Sequence, residues 1–175
     1  MRLLFTLVAK DYDINSKAII RLSVRGIIIR GDKVGRVHSL GYDYYKFPGG
    51  GIEKGESQID TLMREVAEET GLSVMPGTVR EYGYVHRAQK SGETAVFIQD
   101  NYYYLCETEA GIAPQHLDEY EADERFTLEF VDPAQAVIAN RENDHGYIDP
   151  FMLSMLERDA RVLEMLIEEG YFAEK

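Results

Sequence analysis

Residues 50–72 read GGIEKGESQIDTLMREVAEETGL, and this stretch predicts a glycine loop followed by one helix. Ser57 with Asp60 three residues later forms a capping box, which places the start of the helix beside Ser57. Gly71 supplies the left-handed residue that ends the helix near Thr70. The apolar residues recur at helical spacing and form one face for the core: Ile59, Leu62, Met63 and Val66.

The opposite side of this helix is acidic, because Glu65, Glu68 and Glu69 stand at positions i, i+3 and i+4. Like charges at these spacings destabilise an isolated helix by about 0.2–0.5 kcal/mol per pair. The carboxyl end of a helix also disfavours anions. A hard divalent cation would explain the placement, since Mg²⁺ prefers carboxylate and water oxygens. Taken alone, however, the helix favours the simpler interpretation of a solvated acidic face.

The glycines and charged residues of this stretch occur at fixed offsets: Gly50, Glu56, Arg64, Glu65, Glu68, Glu69 and Gly71. The pattern resembles the Nudix box, G-x5-E-x7-R-E-U-x-E-E-x-G-U with U aliphatic, and every specified position matches. Phe47-Pro48-Gly49-Gly50-Gly51 also resembles the family's lead-in to the box. On these residues the chain is identified as a member of the Nudix hydrolases.

The resemblance implies an α/β (α+β) fold, a small α/β/α sandwich around a mixed sheet with the box as loop, helix and loop. It also implies an enzyme that uses Mg²⁺ or Mn²⁺ to hydrolyse a pyrophosphate bond in a nucleoside diphosphate-X compound or a nucleoside triphosphate. The metals neutralise phosphate charge, acidify a water and hold it in line for attack. The expected substrate is a small nucleotide.

Residue roles carried over from the family stay at matching positions of this sequence. Glu65, Glu68 and Glu69 are expected to hold the metals, and Gly49 to offer a backbone carbonyl. Glu65 and Glu69 are also candidates for the general base. The other matching residues are expected to stabilise the loop and orient the helix: Gly50, Glu56, Arg64 and Gly71.

An additional carboxylate, as metal ligand or base, is expected from a loop late in the fold of such enzymes. Residues 118–124 read DEYEADE and precede an expected strand over residues 126–131. We take Glu124 as this catalytic carboxylate because it lies closest to that strand. A solvated acidic loop is the alternative.

Residues that lead into the glycine loop are candidates for substrate contact. Tyr44 and Phe47 offer rings for stacking on a nucleobase, and Lys46 offers a cation for a phosphate. Strand packing explains such aromatic runs equally well. Arg87 and Lys90, after the run Tyr82–His86, are further basic candidates or residues of a surface hairpin.

The rest of the chain predicts one domain over residues 1–175 with many strands and a helical C-terminal region near residues 149–170. Strands are expected over residues 3–9, 19–30, 34–40, 79–86, 95–107 and 126–131. Asp149-Pro150 is typical of a helix start. The apolar residues of that helix require two stripes or a bend near Arg158-Asp159.

Composition excludes several classes of protein. The 175 residues include 19 Lys and Arg against 31 Asp and Glu, a formal net charge of −12. Such a charge opposes binding to duplex nucleic acid. One cysteine and four scattered histidines make a disulfide or a Cys/His zinc site untenable. No run approaches the ~20 apolar residues of a membrane span, so a cytoplasmic protein without membrane contact is expected.

Two alternatives to hydrolysis of small nucleotides remain open at this stage. One is a catalytically silent nucleotide-sensing module, although its glutamates would usually be damaged. The other is an RNA 5′-end pyrophosphohydrolase, which needs a local basic patch around Arg21, Arg25, Arg30, Lys33 and Arg36. A homodimer through the final helix is possible.

Overall fold

A computed structural model describes residues 1–13, 15–146 and 149–172. The strands are β1 (Leu3–Val8), β2 (Lys17–Arg30), β3 (Lys33–Ser39), β4 (Tyr44–Lys46), β5 (Leu72–Val74), β6 (Arg80–Ser91), β7 (Ala95–Leu105), β8 (Thr108–Ile112) and β9 (Phe126–Val131). The helices are α1 (Gln58–Thr70), α2 (Glu119–Asp123), α3 (Pro133–Glu142) and α4 (Pro150–Glu168), with a 3₁₀ turn at Pro76–Thr78.

The main sheet is mixed, with strand order β1-β6-β7-β2-β3-β4 and with β9 paired to β3. The pairs β1–β6 and β2–β7 are parallel, and the remaining pairs are antiparallel. A separate two-stranded sheet joins β5 to β8. The long strand β2 connects the two halves of the main sheet, since it pairs with β7 along residues 17–27 and with β3 at its end.

Helices cover both faces of the sheet, which confirms the predicted architecture. On one face, α1 buries Leu62 and Val66 against Val24 and Ile28 of β2. On the other face, α4 buries Leu163 against a cluster that includes residues of β2, β3, β6 and β7. Adjacent side chains of β2 therefore point into different cores, as the two-residue period of a strand requires.

The local signals of α1 are confirmed in detail. Ser57 is the N-cap, its hydroxyl accepts from the Asp60 N–H at 3.1 Å, and the reciprocal capping-box bond is also formed. Gly71 ends the helix with φ +73°. A Cβ at Gly71 would collide with the carbonyl oxygen of Ala113, so this position needs glycine both for its backbone angle and for space.

Helix α4 runs without interruption from Pro150 to Glu168, across Arg158-Asp159. Both residues are buried on the inner side of the helix. Asp159 accepts from Arg158 Nε at 2.8 Å, Arg36 Nη2 at 3.2 Å and the Phe47 N–H at 2.8 Å. Burial alone would raise the pKa of Asp159, but the neighbouring arginines Arg158, Arg36 and Arg25 hold it below its usual value. The polar pair thus belongs to the interior.

Five of the strands and α-helices were not predicted, namely β4, β5, β8, α2 and α3. The start of α3 carries the same signal as α4, because Asp132 precedes Pro133 and caps the Gln135 N–H at 3.0 Å. Within the described residues, no helix combines the length and apolar character that crossing a bilayer requires.

Asp159→Asn should destabilise the fold by about 3 kcal/mol, because it leaves buried arginines without their counter-ion. Urea unfolding measures this free energy. Asp149→Asn is the matched control on the same helix, since Asp149 caps the exposed first turn and asparagine caps equally well. Equal stability of the two variants would contradict the interior role of Asp159.

Candidate functional site

The glycine loop lies against β2 as an additional short strand. The Val24 N–H donates to the Gly50 carbonyl at 2.9 Å and the Gly26 N–H to the Pro48 carbonyl at 2.8 Å. Gly49 has φ +139°, and a Cβ there would collide with the Val24 carbonyl oxygen. A side chain at this position would therefore push the loop away from the sheet.

Glu69 is buried, although the sequence suggested an acidic face open to solvent. Its residue exposure is 1%. One carboxylate oxygen accepts from Lys46 Nζ at 2.6 Å and the other from the Gly49 N–H at 2.9 Å. Burial raises the pKa of Glu69 to about 7, and the neighbouring Lys46 opposes that rise. Glu69 therefore fixes the loop to α1, whatever further role it has.

Arg64 forms hydrogen bonds with the other three carboxylates of the box, those of Glu56, Glu65 and Glu68. Its Nε donates to Glu56 at 2.7 Å, and its Nη1 lies 2.8 Å from a Glu65 oxygen and 3.0 Å from a Glu68 oxygen. The hydrogen bond from Arg64 lowers the pKa of Glu56 to about 2. Burial raises the pKa of Glu65, and Arg64 opposes it. The contacts are those of a residue that orients the helix and its loop.

A polar cavity of about 310 Å³ opens beside the glycine loop and α1. Five carboxylates and two guanidinium groups contribute to its lining: Glu53, Glu65, Glu68, Asp118, Glu121, Arg21 and Arg64. The excess of carboxylates favours a cation in this cavity. Gly50 adds room, because a Cβ there would collide with the Glu65 carboxylate.

The donor set suits a hard divalent ion, but its side chains do not converge in this arrangement. Among the described residues, no three Asp, Glu, His or Cys side chains are grouped closely enough to hold a metal. Arg64 holds Glu65 and Glu68, and Lys46 holds Glu69. The Gly49 carbonyl accepts from Arg25 Nη1. Arg64 contacts one oxygen of Glu65 and one of Glu68, whereas both oxygens of Glu69 are bonded, to Lys46 and to the Gly49 N–H.

The loop that follows β8 brings the late acidic segment to α1. The His116 N–H donates to the Glu68 carbonyl and the Ala113 N–H to the Gly71 carbonyl, both at 2.8 Å, and the Gln115 side chain donates to the Glu69 carbonyl. These bonds satisfy carbonyls that the end of a helix leaves free. They also place Asp118 and Glu121 at the cavity.

Glu124, the catalytic carboxylate predicted from the sequence, does not line this cavity. Its carboxylate accepts from Tyr44 Oη at 2.7 Å and Ser39 Oγ at 2.9 Å. Glu121, three residues earlier, lies at the cavity. It is 5% exposed, lines the cavity and accepts from the Asp118 N–H at 2.9 Å.

The three residues proposed for substrate contact are also buried. Tyr44 is 2% exposed, Lys46 5% and Phe47 0%, so neither ring offers a face to a nucleobase. Lys46 is ion-paired with Glu69 and therefore not free for a phosphate.

The sequence analysis did not consider Arg21 as a contact for a small nucleotide. Arg21 lines the cavity and makes no ion pair within 4 Å among the described residues.

The basic patch required for RNA is not formed by the five residues considered. Arg25 is 8% exposed and Arg36 0%, so these two lie in the interior. Arg21 belongs to the acidic cavity. Arg30 is exposed on the hairpin, where it donates to Thr108 Oγ1 at 2.9 Å.

A family model described as NUDIX domain matches residues 20–152 of the chain. The chain is similar to an RNA pyrophosphohydrolase of Ruthia magnifica subsp. Calyptogena magnifica, 48% identical over 50 residues. That match covers 27% of this chain and 28% of the relative, so less than a third of the relative's length is spanned.

Two solved structures show the same fold. A NUDIX hydrolase from Nitrosomonas europaea has a TM-score of 0.56 and 19% identity, covering 82% of this chain and 90% of that chain. A second comes from a structure and function analysis of MutT from Aliivibrio salmonicida and Vibrio cholerae. It has a TM-score of 0.53 and 21% identity, covering 86% of this chain and 99% of that chain.

Lys46→Met should destabilise the protein by about 3 kcal/mol, because it leaves the buried Glu69 carboxylate without its cation. The loss should be greatest above pH 7, since Glu69 has a pKa of about 7. Urea unfolding checks it, with Lys54→Met in the exposed part of the same loop as control. Matching stabilities would show that Lys46 does not hold Glu69.

Proposed function

The chain belongs to the NUDIX domain family and is a Nudix hydrolase, and we propose that it hydrolyses a pyrophosphate bond in a nucleoside diphosphate-X compound or a nucleoside triphosphate. The observation that carries the proposal is the cavity beside the glycine loop, where carboxylates of α1 meet carboxylates of the late acidic loop. An anionic substrate can approach so many carboxylates only when cations stand between them. We therefore also propose that Mg²⁺ or Mn²⁺ is required.

The proposed metal-holding groups are the carboxylates of Glu65 and Glu68 and the Gly49 carbonyl, with Glu69 as an inner member of the set. A divalent ion bound there would neutralise pyrophosphate charge and lower the pKa of a water molecule. Arg21 lines the same cavity, and we assign it to pair with a phosphate oxygen.

Glu121 is our candidate for the additional carboxylate. The Asp118 N–H and Tyr120 Oη each donate to it at 2.9 Å, so its position is fixed before substrate arrives. It shares the cavity with Glu65 and Glu68, and its charge contributes to the raised pKa of Glu69. A carboxylate held in this way can accept a proton from an attacking water.

An RNA 5′ end is a second candidate substrate, favoured by the similarity to a protein named RNA pyrophosphohydrolase. The chemistry would be the same, and only the body of the RNA would need a further surface. The burial of Arg25 and Arg36 argues against a basic surface made by the residues considered. We therefore place small nucleotides first.

Glu68→Gln should lower kcat about 100-fold, equivalent to about 2.7 kcal/mol of transition-state stabilisation. Glu68 is preferred to Glu69 for this test because its side chain is 40% exposed and its loss should leave the fold intact. Phosphate release is measured with Mg²⁺ on nucleoside triphosphates, sugar nucleotides, ADP-ribose, dinucleoside polyphosphates and a short 5′-triphosphate RNA.

Glu168→Gln at the end of α4 is the matched control and should retain full activity. Preference for the RNA would support the second candidate substrate. If the folded protein binds metal but hydrolyses none of these substrates, the result would contradict hydrolysis and favour the sensing module. Full turnover in excess chelator would refute the metal requirement.

Glu121→Gln should lower kcat about 100-fold with little change in stability, whereas Glu124→Gln should mainly destabilise, by about 1 kcal/mol. The difference follows from their contacts, since Glu124 holds Tyr44 and Ser39 away from the cavity. Steady-state kinetics and urea unfolding on both variants separate the two roles. The opposite pattern would restore Glu124 as the catalytic carboxylate.

A further inference from the structure

Four arginines are buried in the interior of this acidic protein: Arg25, Arg36, Arg87 and Arg158. Asp159 lies within ion-pair distance of Arg36 and Arg158, at 3.2 and 2.7 Å. Arg25 and Arg87 have no carboxylate oxygen within 4 Å among the described residues. These two buried cations therefore form no direct ion pair, and Asp159 acts on them only from a longer distance.

Of these two arginines, Arg87 has more donors without a hydrogen-bond partner. The residue is 1% exposed, and its Nε and Nη2 have no hydrogen-bond partner. Its Nη1 makes only a long contact of 3.5 Å with the Phe151 carbonyl. The rings of Phe151 and Phe97 flank the guanidinium at 4.0 and 5.5 Å from their centroids. The aromatic neighbours fix the group and leave its polar edge free.

Two further donors without a hydrogen-bond partner lie on the same face of the sheet as Arg87. Asn101 Nδ2 and Arg25 Nε are buried and unpartnered. Asn101 is oriented by Arg158, whose Nη1 donates to the Asn101 Oδ1 at 2.8 Å, so the free atom of the amide is a donor. Asn101 is paired in register with Ser23 of β2 and with Val85 of β6. Arg25 lies two residues after Ser23 and Arg87 two residues after Val85, so all these side chains share one face of the sheet.

These donors require an anion more than they require water. Water satisfies a hydrogen-bond donor but leaves the charge of a buried guanidinium uncompensated, which is strongly unfavourable. Burial, reinforced by the charges of Arg158 and Arg25, lowers the pKa of Arg87 to about 9. An oxyanion would satisfy the donors and the charge together, and arginine forks match the oxygens of phosphate.

We propose that the face of β2, β6 and β7 beneath α4 binds a phosphate group, held by Arg87, Asn101 and Arg25. The site does not depend on the hydrolysis proposed above, since it is argued only from buried donors. It adjoins the candidate active site, because Arg21 of the cavity is in register with Gln99, and Gln99 with Arg87. The phosphate is either free or the terminal group of a nucleotide.

The test is the thermal midpoint of the full chain in EDTA, measured with and without inorganic phosphate and with chloride at equal ionic strength. EDTA removes divalent ions, so the result is separate from metal-dependent turnover. Phosphate should raise the midpoint of the wild type, and Arg87→Met should weaken phosphate binding about tenfold or more. Arg80→Met, on the exposed start of the same strand, is the matched control and should respond as the wild type does.

The variant alone also distinguishes a ligand site from a structural arginine. Without phosphate, Arg87→Met should be at least as stable as the wild type, because it removes an uncompensated buried charge. If Arg87→Met does not fold, the fold requires a cation at this position and Arg87→Lys replaces it in the test. A folded lysine variant that responds to phosphate as the wild type does overturns the proposal. A weaker response of that variant supports it.

Adenosine and ADP in the same buffer identify the source of the phosphate. Binding of ADP that exceeds that of inorganic phosphate and depends on Arg87 assigns the site to a nucleotide's terminal phosphate. Binding of inorganic phosphate alone assigns it to the free ion. A wild type that responds to neither, or an Arg87→Met variant that responds equally, overturns the proposal.

Discussion

Two buried carboxylates, one on each of two helices, hold the segment Phe47–Gly49 from opposite sides. Asp159 of α4 accepts from the Phe47 N–H at 2.8 Å, and Glu69 of α1 accepts from the Gly49 N–H at 2.9 Å. Between these anchors the segment is bonded to the middle of β2. The position of α1 relative to the sheet, and with it the cavity, depends on this double attachment.

The charge distribution of the interior is opposite to that of the whole chain. The protein carries a formal charge of −12, yet arginines outnumber carboxylates beneath α4. Carboxylates are concentrated instead around the cavity between α1 and the late acidic loop. In the function proposed above, the carboxylates would bind cations and the guanidinium groups would bind phosphate oxygens. Here the two surfaces meet at Arg21 and Gln99.

The parts of this fold that local sequence determines were predictable. The boundaries of α1 follow from Ser57, Asp60 and Gly71, whose effects act within one turn. The strand Phe126–Val131 was likewise predicted with its observed bounds. Helix α3 was predictable but missed, since Asp132-Pro133 repeats the signal that identified α4.

What escaped prediction depends on partners distant in sequence. The burial of Glu69 requires Lys46, and the burial of Asp159 requires Arg36 on another element. The choice between Glu121 and Glu124 depends on backbone bonds from residues 113–116 to the end of α1. The box itself identified the family and the glutamates because its offsets reflect one loop and one helix. Roles outside it needed the tertiary structure.

The most direct test of the central claim is Mn²⁺ binding followed by electron paramagnetic resonance, with wild type and a Glu65→Gln/Glu68→Gln variant. If the carboxylates of the cavity hold the catalytic ions, the wild type binds Mn²⁺, Mg²⁺ competes for it, and the variant loses that binding while remaining folded. Equal Mn²⁺ binding by the folded variant would contradict the assignment of the metal to α1.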